Sequence, residues 1–202
     1  MFCFTSLCNI HNEVKKKNIL FSLITFNSHL LFVIFEFILK EKEQTQKYKI
    51  MSHKKRIDYF AIAPEAMKGM LELEKYVHGC GLEPLLIELI KTRVSQINKC
   101  AYCIDMHTKD ARHLGETEQR LYGLSAWRET PFYSDRERAG LEWAEALTLL
   151  PQNEVSDELY NTVSKHFSEK EIVNLSTAIV AINGWNRYGV GFRSEAGTYQ
   201  PK

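Results

Sequence analysis

The sequence predicts an all-α domain over residues 51–202, on three grounds. Apolar residues recur at helical spacing through most of that span, and the segment ends carry helix caps and helix breakers. No stretch rich in Val, Ile and Thr alternates strictly enough to make a strand.

The elements follow in order. Pro64 stands where a first helical residue would, and Gly79 and Gly81 close that segment, with Met67, Met70, Leu71 and Val77 at helical spacing between them. Pro84 opens a second helix carrying Leu86, Leu89, Ile90, Val94 and Ile97. Asn98 is a good N-cap for a third, running from about Lys99 to His113 with Gly115 just beyond. A short helix is expected from Glu116 to about Leu124. Ser134-Asp135-Arg136-Glu137 reads as a capping box, and the helix after it sets Ala139, Trp143, Ala146, Leu147 and Leu150 on one face until Pro151 stops it. Ser156 caps a helix to His166. Ser168-Glu169-Lys170-Glu171 is a second capping box, and Ile172 to Ile182, apolar on most sides, predicts a central buried helix that Asn183-Gly184 distorts or ends.

Composition narrows the function classes. At 202 residues, with 45% hydrophobic and 25% charged residues, the chain reads as one soluble globular domain plus an appendage. The 26 Lys and Arg and 25 Asp and Glu divide as 7 and 4 before residue 51 and 19 and 21 after it. A domain that close to neutral has no field to hold nucleic acid or an anionic membrane. The five cysteines, Cys3, Cys8, Cys80, Cys100 and Cys103, are odd in number and sparse, unlike a secreted disulfide scaffold. Two of them at CxxC spacing in a reducing, cytoplasmic setting point to redox or metal chemistry.

Residues 1–50 stand apart. Ile19 to Leu39 is long enough to span a bilayer and carries Glu36 as its one formal charge, but Ser22, Thr25, Asn27, Ser28 and His29 sit near its middle. No small-residue cleavage site follows it. Met51-Ser52-His53-Lys54-Lys55 has the look of a second start, preceded by the Phe, Ile, Leu, Asn and Lys that translated AT-rich upstream DNA would give. The extension therefore reads as upstream read-through, with a single-span anchor as the alternative, and 51–202 as the working domain.

The chemistry gathers on the third helix. Residues three and four apart share a helix face, so Cys100, Cys103 and His107 fall together. Ideal geometry sets the two cysteine Cα atoms roughly 5 Å apart, within disulfide range. His107, one turn on from Cys103, can reach its thiol. With Asn98 as N-cap, both cysteines occupy the first turn and a half, where unpaired N–H groups and the helix dipole favour thiolate. Glu88 lies twelve positions before Cys100 and points by helical angle away from the centre of its apolar stripe, so taken alone it reads as a solvated surface glutamate. Two other readings of the cysteines are open. They could be small packed core residues, or Cys100, Cys103, His107 and Glu88 could ligate zinc, although no second CxxC or paired His accompanies them. His113, His166 and His78 suit helix C-termini, Cys80 and Trp143 suit the core, and Tyr102 either lines the site or packs.

The spacing Glu88, eleven residues, Cys100-Ala101-Tyr102-Cys103, three residues, His107 resembles the motif of the alkyl hydroperoxidase D and carboxymuconolactone decarboxylase superfamily. Ala181-Ile182-Asn183-Gly184-Trp185-Asn186-Arg187, followed by Phe192-Arg193, resembles the terminal segment of its peroxidase-related branch. The likeness covers roughly residues 52–200. It implies an all-α fold that homo-oligomerises and a cofactor-free, metal-free thiol peroxidase. Cys103 would be the attacking thiolate, and His107 with Glu88 would take its proton. Cys100 would close the disulfide, and an external dithiol, lipoyl-bearing or thioredoxin-like, would reopen it. Tyr102 departs from the pattern, standing where the best-studied peroxidase members have a relay histidine. The rival expectations are a decarboxylase-like lyase, which does not need the cysteine pair, and a non-catalytic redox-sensing oligomer.

Overall fold

Local chemistry sets the helix boundaries, and a computed structural model, which describes residues 33–42 and 54–201, shows where they fall. The chain divides into two units, Met1–Ser52 and His53–Lys202. In the first, helix α1 covers 33–42 and is exposed throughout. Most of the stretch Ile19–Leu39, like the second start at Met51, lies outside the described residues. No helix among the described residues is long and apolar enough to cross a membrane.

The second unit is all-helical among its described residues: α2 (Tyr59–Ile62), α3 (Pro64–Gly79), α4 (Pro84–Ile97), α5 (Ala101–His113), α6 (Glu118–Gly123), a 3-10 segment (Leu124–Glu129), α7 (Asp135–Thr148), α8 (Asp157–Ser164) and α9 (Glu169–Phe192). Pro64 and Pro84 occupy first-turn positions, where a missing N–H costs nothing. Both capping boxes form, Ser134 with Glu137 and Ser168 with Glu171. Each closes two orphan donors at a helix start.

Helix α4 is the axis of the domain. It packs against α5, α7 and α9, while α9 also reaches α3, α5 and α7. Leu89, Ile90 and Val94 of α4, Leu141 and Ala144 of α7, and Leu175, Ala178, Ile179 and Ile182 of α9 form a core with essentially no exposure. Trp143 is buried there with its indole N–H on Ser176 Oγ at 2.9 Å.

Three sequence expectations are corrected, and one element goes beyond them. The short α2, capped by Asp58, was not foreseen, because four residues carry no period. The expected helix from Glu116 to about Leu124 starts instead at Glu118, with Thr117 as its cap, and runs into the 3-10 segment. Asn183-Gly184 does not break α9, which continues to Phe192 and ends on Arg193 in the left-handed region. Asn183 turns its amide back to Ile179 O (3.0 Å) and Thr148 Oγ1 (3.0 Å), and Gly184 leaves room for Met70, whose Cε would lie 2.9 Å from a Cβ there. Asn98 closes α4 instead of opening α5. Its side chain donates to Asn183 Oδ1 and Asn186 Oδ1, both at 2.9 Å, and Asn186 donates to Ser95 Oγ at 3.0 Å. This part-buried amide cluster clamps the α4–α5 corner onto α9, and Lys99, at φ 58°, turns the chain into α5.

Candidate active site

With Asn98 engaged elsewhere, Cys100 itself is the N-cap of α5. Its backbone is extended, and its sulfur accepts the N–H of Cys103 at 3.4 Å. Cys103 thus sits in the first turn, on the positive end of the helix dipole. The two sulfurs are joined in a disulfide, with Cα atoms 5.3 Å apart as ideal helical spacing requires. Both residues are buried, and α9 passes close against them: a Cβ built on Gly189 would lie 2.7 Å from Cys100 Sγ and 3.3 Å from Cys103 Sγ.

One turn further along α5, His107 is buried. Its Nδ1 shares a 2.7 Å hydrogen bond with Glu88 Oε2, and its Nε2 is buried with no hydrogen-bond partner. Glu88 is therefore not the surface glutamate that its helical angle predicts; it is 4% exposed. The apolar stripe of α4 marks the face toward α7 and α9, but α5 covers another face, so the helix has no solvent side on which to leave a carboxylate. Burial pushes Glu88 up to about 8 and holds His107 down to about 3, with the nearby Lys91 cation adding to the second effect.

The site opens on a cavity of about 510 Å³. Its apolar walls include Phe60, Leu71, Ile87, Tyr102, Met106 and Trp185, and Glu74, Glu88, His107 and Asp110 supply polar groups. Tyr102 therefore lines the site. Cys103 lines the cavity; Cys100 does not. On one flank the fully buried Lys91 donates to Glu74, which also accepts from Trp185 Nε1 at 3.1 Å. On the other, the C-terminal segment lies along α5: Gly197 N–H donates to Asp105 (2.9 Å), Lys109 to Tyr199 O (2.9 Å) and the Tyr199 hydroxyl to Asp110 (2.7 Å). The four-ligand zinc arrangement of Cys100, Cys103, His107 and Glu88 is not assembled in this form, because the sulfurs are bonded to each other. Glu88, His107 and Asp110 hold ligand-type atoms within 4.8 Å of one another; Glu88 Oε2 bonds His107 Nδ1, and Asp110 Oδ1 accepts from Tyr199.

Against known proteins, the sequence profile of the carboxymuconolactone decarboxylase family matches residues 64–146. The uncharacterized protein YdfG of Bacillus subtilis (strain 168) is 50% identical over 141 residues, 70% of this chain and 96% of that relative. The chain belongs to the carboxymuconolactone decarboxylase family. A solved family-like structure from Agrobacterium tumefaciens, a protein of unknown function suggested to be the antioxidant defence protein AhpD, is 47% identical with a TM-score of 0.70, and the match covers 72% of this chain and all of that one. An uncharacterized peroxidase-related protein from Silicibacter sp. TM1040 shares the fold at 22% identity and a TM-score of 0.62, over 79% of this chain and 88% of its own. The all-α fold and the superfamily resemblance read from the sequence both hold.

The family match spans Glu88, Cys100, Cys103 and His107 but stops before α9. Sequence reasoning passed over four residues that border the site: Gly189, Lys91, Asp110 and Tyr199. Gly189 had a readable signal, since a glycine inside an apolar helix marks a close approach. Lys91 and Asp110 had none, because their partners Glu74 and Tyr199 are distant in sequence.

Proposed function

We propose that the protein is a cytoplasmic thiol-dependent peroxidase, cycling between the Cys100–Cys103 disulfide and the dithiol, and working as a homo-oligomer with an external dithiol as reductant. One juxtaposition carries this reading: a cysteine pair at a helix N-terminus, one turn above an imidazole held by a buried carboxyl, with Cys103, His107 and Glu88 on one apolar cavity.

In the reduced form the Cys103 thiol passes its proton to His107 Nε2, while Glu88 as carboxylate holds the Nδ1–H. The thiolate attacks one oxygen of the hydroperoxide and the O–O bond breaks. Cys103 becomes a sulfenic acid, and the alkoxide takes the proton from His107 and leaves as the alcohol. The Cys100 thiol then attacks the Cys103 sulfur, the S–O bond breaks, water leaves and the disulfide forms. Two electrons from the external dithiol restore the pair. The base-competent form requires an ionised Glu88, which burial holds up to about 8, so reactivity should rise as the pH climbs through that region.

Mass mapping tests the order of events. One equivalent of hydroperoxide should place sulfenic acid on Cys103 in the Cys100→Ser variant and the Cys100–Cys103 disulfide in the parent. Oxidation confined to Cys80, or to no cysteine, would remove the reading. His107→Gln should move the pH midpoint of Cys103 alkylation upward by about one unit and cut peroxide consumption about 100-fold, as loss of a general base does. An unchanged alkylation profile would take His107 out of the base role.

A further inference from the structure

The two sulfurs are equally hidden but face different surroundings. Cys103 borders the cavity, whereas Cys100 is absent from its walls. Cys100 instead lies under the backbone of α9, nearer to Gly189 than Cys103 is. It is also the helix cap, its sulfur receiving the Cys103 N–H. Thiol–disulfide exchange is an in-line displacement: the incoming thiolate approaches one sulfur from the side opposite the other, and the sulfur better able to bear charge leaves faster. Cys100 borders no part of the cavity from which a thiolate could reach it, and the Gly189 backbone lies close beside it. An approach to Cys103 needs only the cavity.

From this we infer that reduction has a fixed direction: the external thiol attacks Cys103, and Cys100 is the leaving group. The step rests on the thiol reading given above. A donor thiolate bonds to the Cys103 sulfur, the Cys100–Cys103 bond breaks, and Cys100 departs as a thiolate at a position where a backbone N–H and the helix dipole already support negative charge. The donor's second thiolate then attacks the donor sulfur of the mixed disulfide. The donor leaves as its own disulfide, and Cys103 is released as a thiolate beside His107. Two electrons pass from the donor dithiol to the protein pair, and the two protons released when the donor thiols ionise are taken up by the Cys100 and Cys103 thiolates. Cys103 thus takes both incoming groups, peroxide in one half-cycle and thiol in the other, while Cys100 serves only its neighbour.

The oxidised full-length protein, exposed to excess 2-mercaptoethanol and quenched with iodoacetamide, tests this. Sequencing the peptide that contains both cysteines should find the mercaptoethanol adduct on Cys103 and the alkyl group on Cys100, with the adduct favouring Cys103 by about tenfold or more. An adduct on Cys100, or an even split, would overturn the assignment. If the adduct does not accumulate, the single-cysteine variants decide. With 4,4′-dithiodipyridine, Cys103 in Cys100→Ser should react about tenfold faster than Cys100 in Cys103→Ser, and equal or reversed rates would overturn it. Neither measurement uses peroxide. An adduct on Cys103 without peroxide turnover would sink the peroxidase reading alone, and turnover with an adduct on Cys100 would sink the direction alone.

Discussion

Cys103→Ser should lower peroxide consumption by about a thousandfold or more, the scale on which enzymes lose activity when a nucleophile is removed. A serine hydroxyl does not ionise near neutral pH, reacts poorly with an O–O bond and cannot close a disulfide with Cys100. The exchange is nearly isosteric and keeps the backbone N–H that caps onto Cys100, so helix content and melting should barely change. Loss of turnover in a folded variant therefore reports chemistry. The assay is peroxide disappearance with a dithiol in excess. Retained turnover would remove Cys103 from the mechanism. A parent protein that forms the disulfide but never turns over would fit a redox sensor.

Gly189→Ala is the second large effect. The new Cβ would fall 2.7 Å from Cys100 Sγ and 3.3 Å from Cys103 Sγ. Neither neighbour is the loose end of a flexible side chain: one is a helix cap and the other sits in the first helical turn, so α9 or the start of α5 must move. Overpacking of this kind costs about 1–3 kcal/mol, against which alanine recovers about 1 kcal/mol of helix propensity. The oxidised variant should accordingly unfold at lower urea concentration than the parent. It should also favour the dithiol over the disulfide when equilibrated with a thiol buffer, since parted sulfurs can move away from the methyl group. An alanine variant with parental stability and parental redox balance would show that α9 does not confine the pair.

How far the sequence could be read depended on the range of the interactions involved. Ser134 and Ser168 announce their helices because donor, acceptor and spacing all lie within four residues, and both boxes form as expected. The Cys100, Cys103 and His107 grouping is legible for the same reason. Asn98 fails as a predicted N-cap because its amide is claimed by Asn183 and Asn186, more than eighty residues on. Glu88 misleads because periodicity identifies one buried stripe and says nothing about a helix enclosed on its other faces. In α4 those faces carry Glu88 and Lys91, whose partners His107 and Glu74 come from α5 and α3. Only the five-part motif brought Glu88 into the site. The aromatic and aliphatic cavity walls were illegible because they gather residues from both ends of the domain, from Phe60 to Trp185.

The disulfide joins residues only three apart. Most such crosslinks stabilise a protein by restricting its unfolded chain, more so the longer the loop they close. A loop this short restricts almost nothing, and the cap that Cys100 makes requires only its sulfur, whatever that sulfur is bonded to. Opening the bond should therefore free two thiols without loosening the scaffold around them. In the proposed cycle the two redox forms would alternate while the clamp of Asn98, Asn183 and Asn186 and the α4 axis stay as they are.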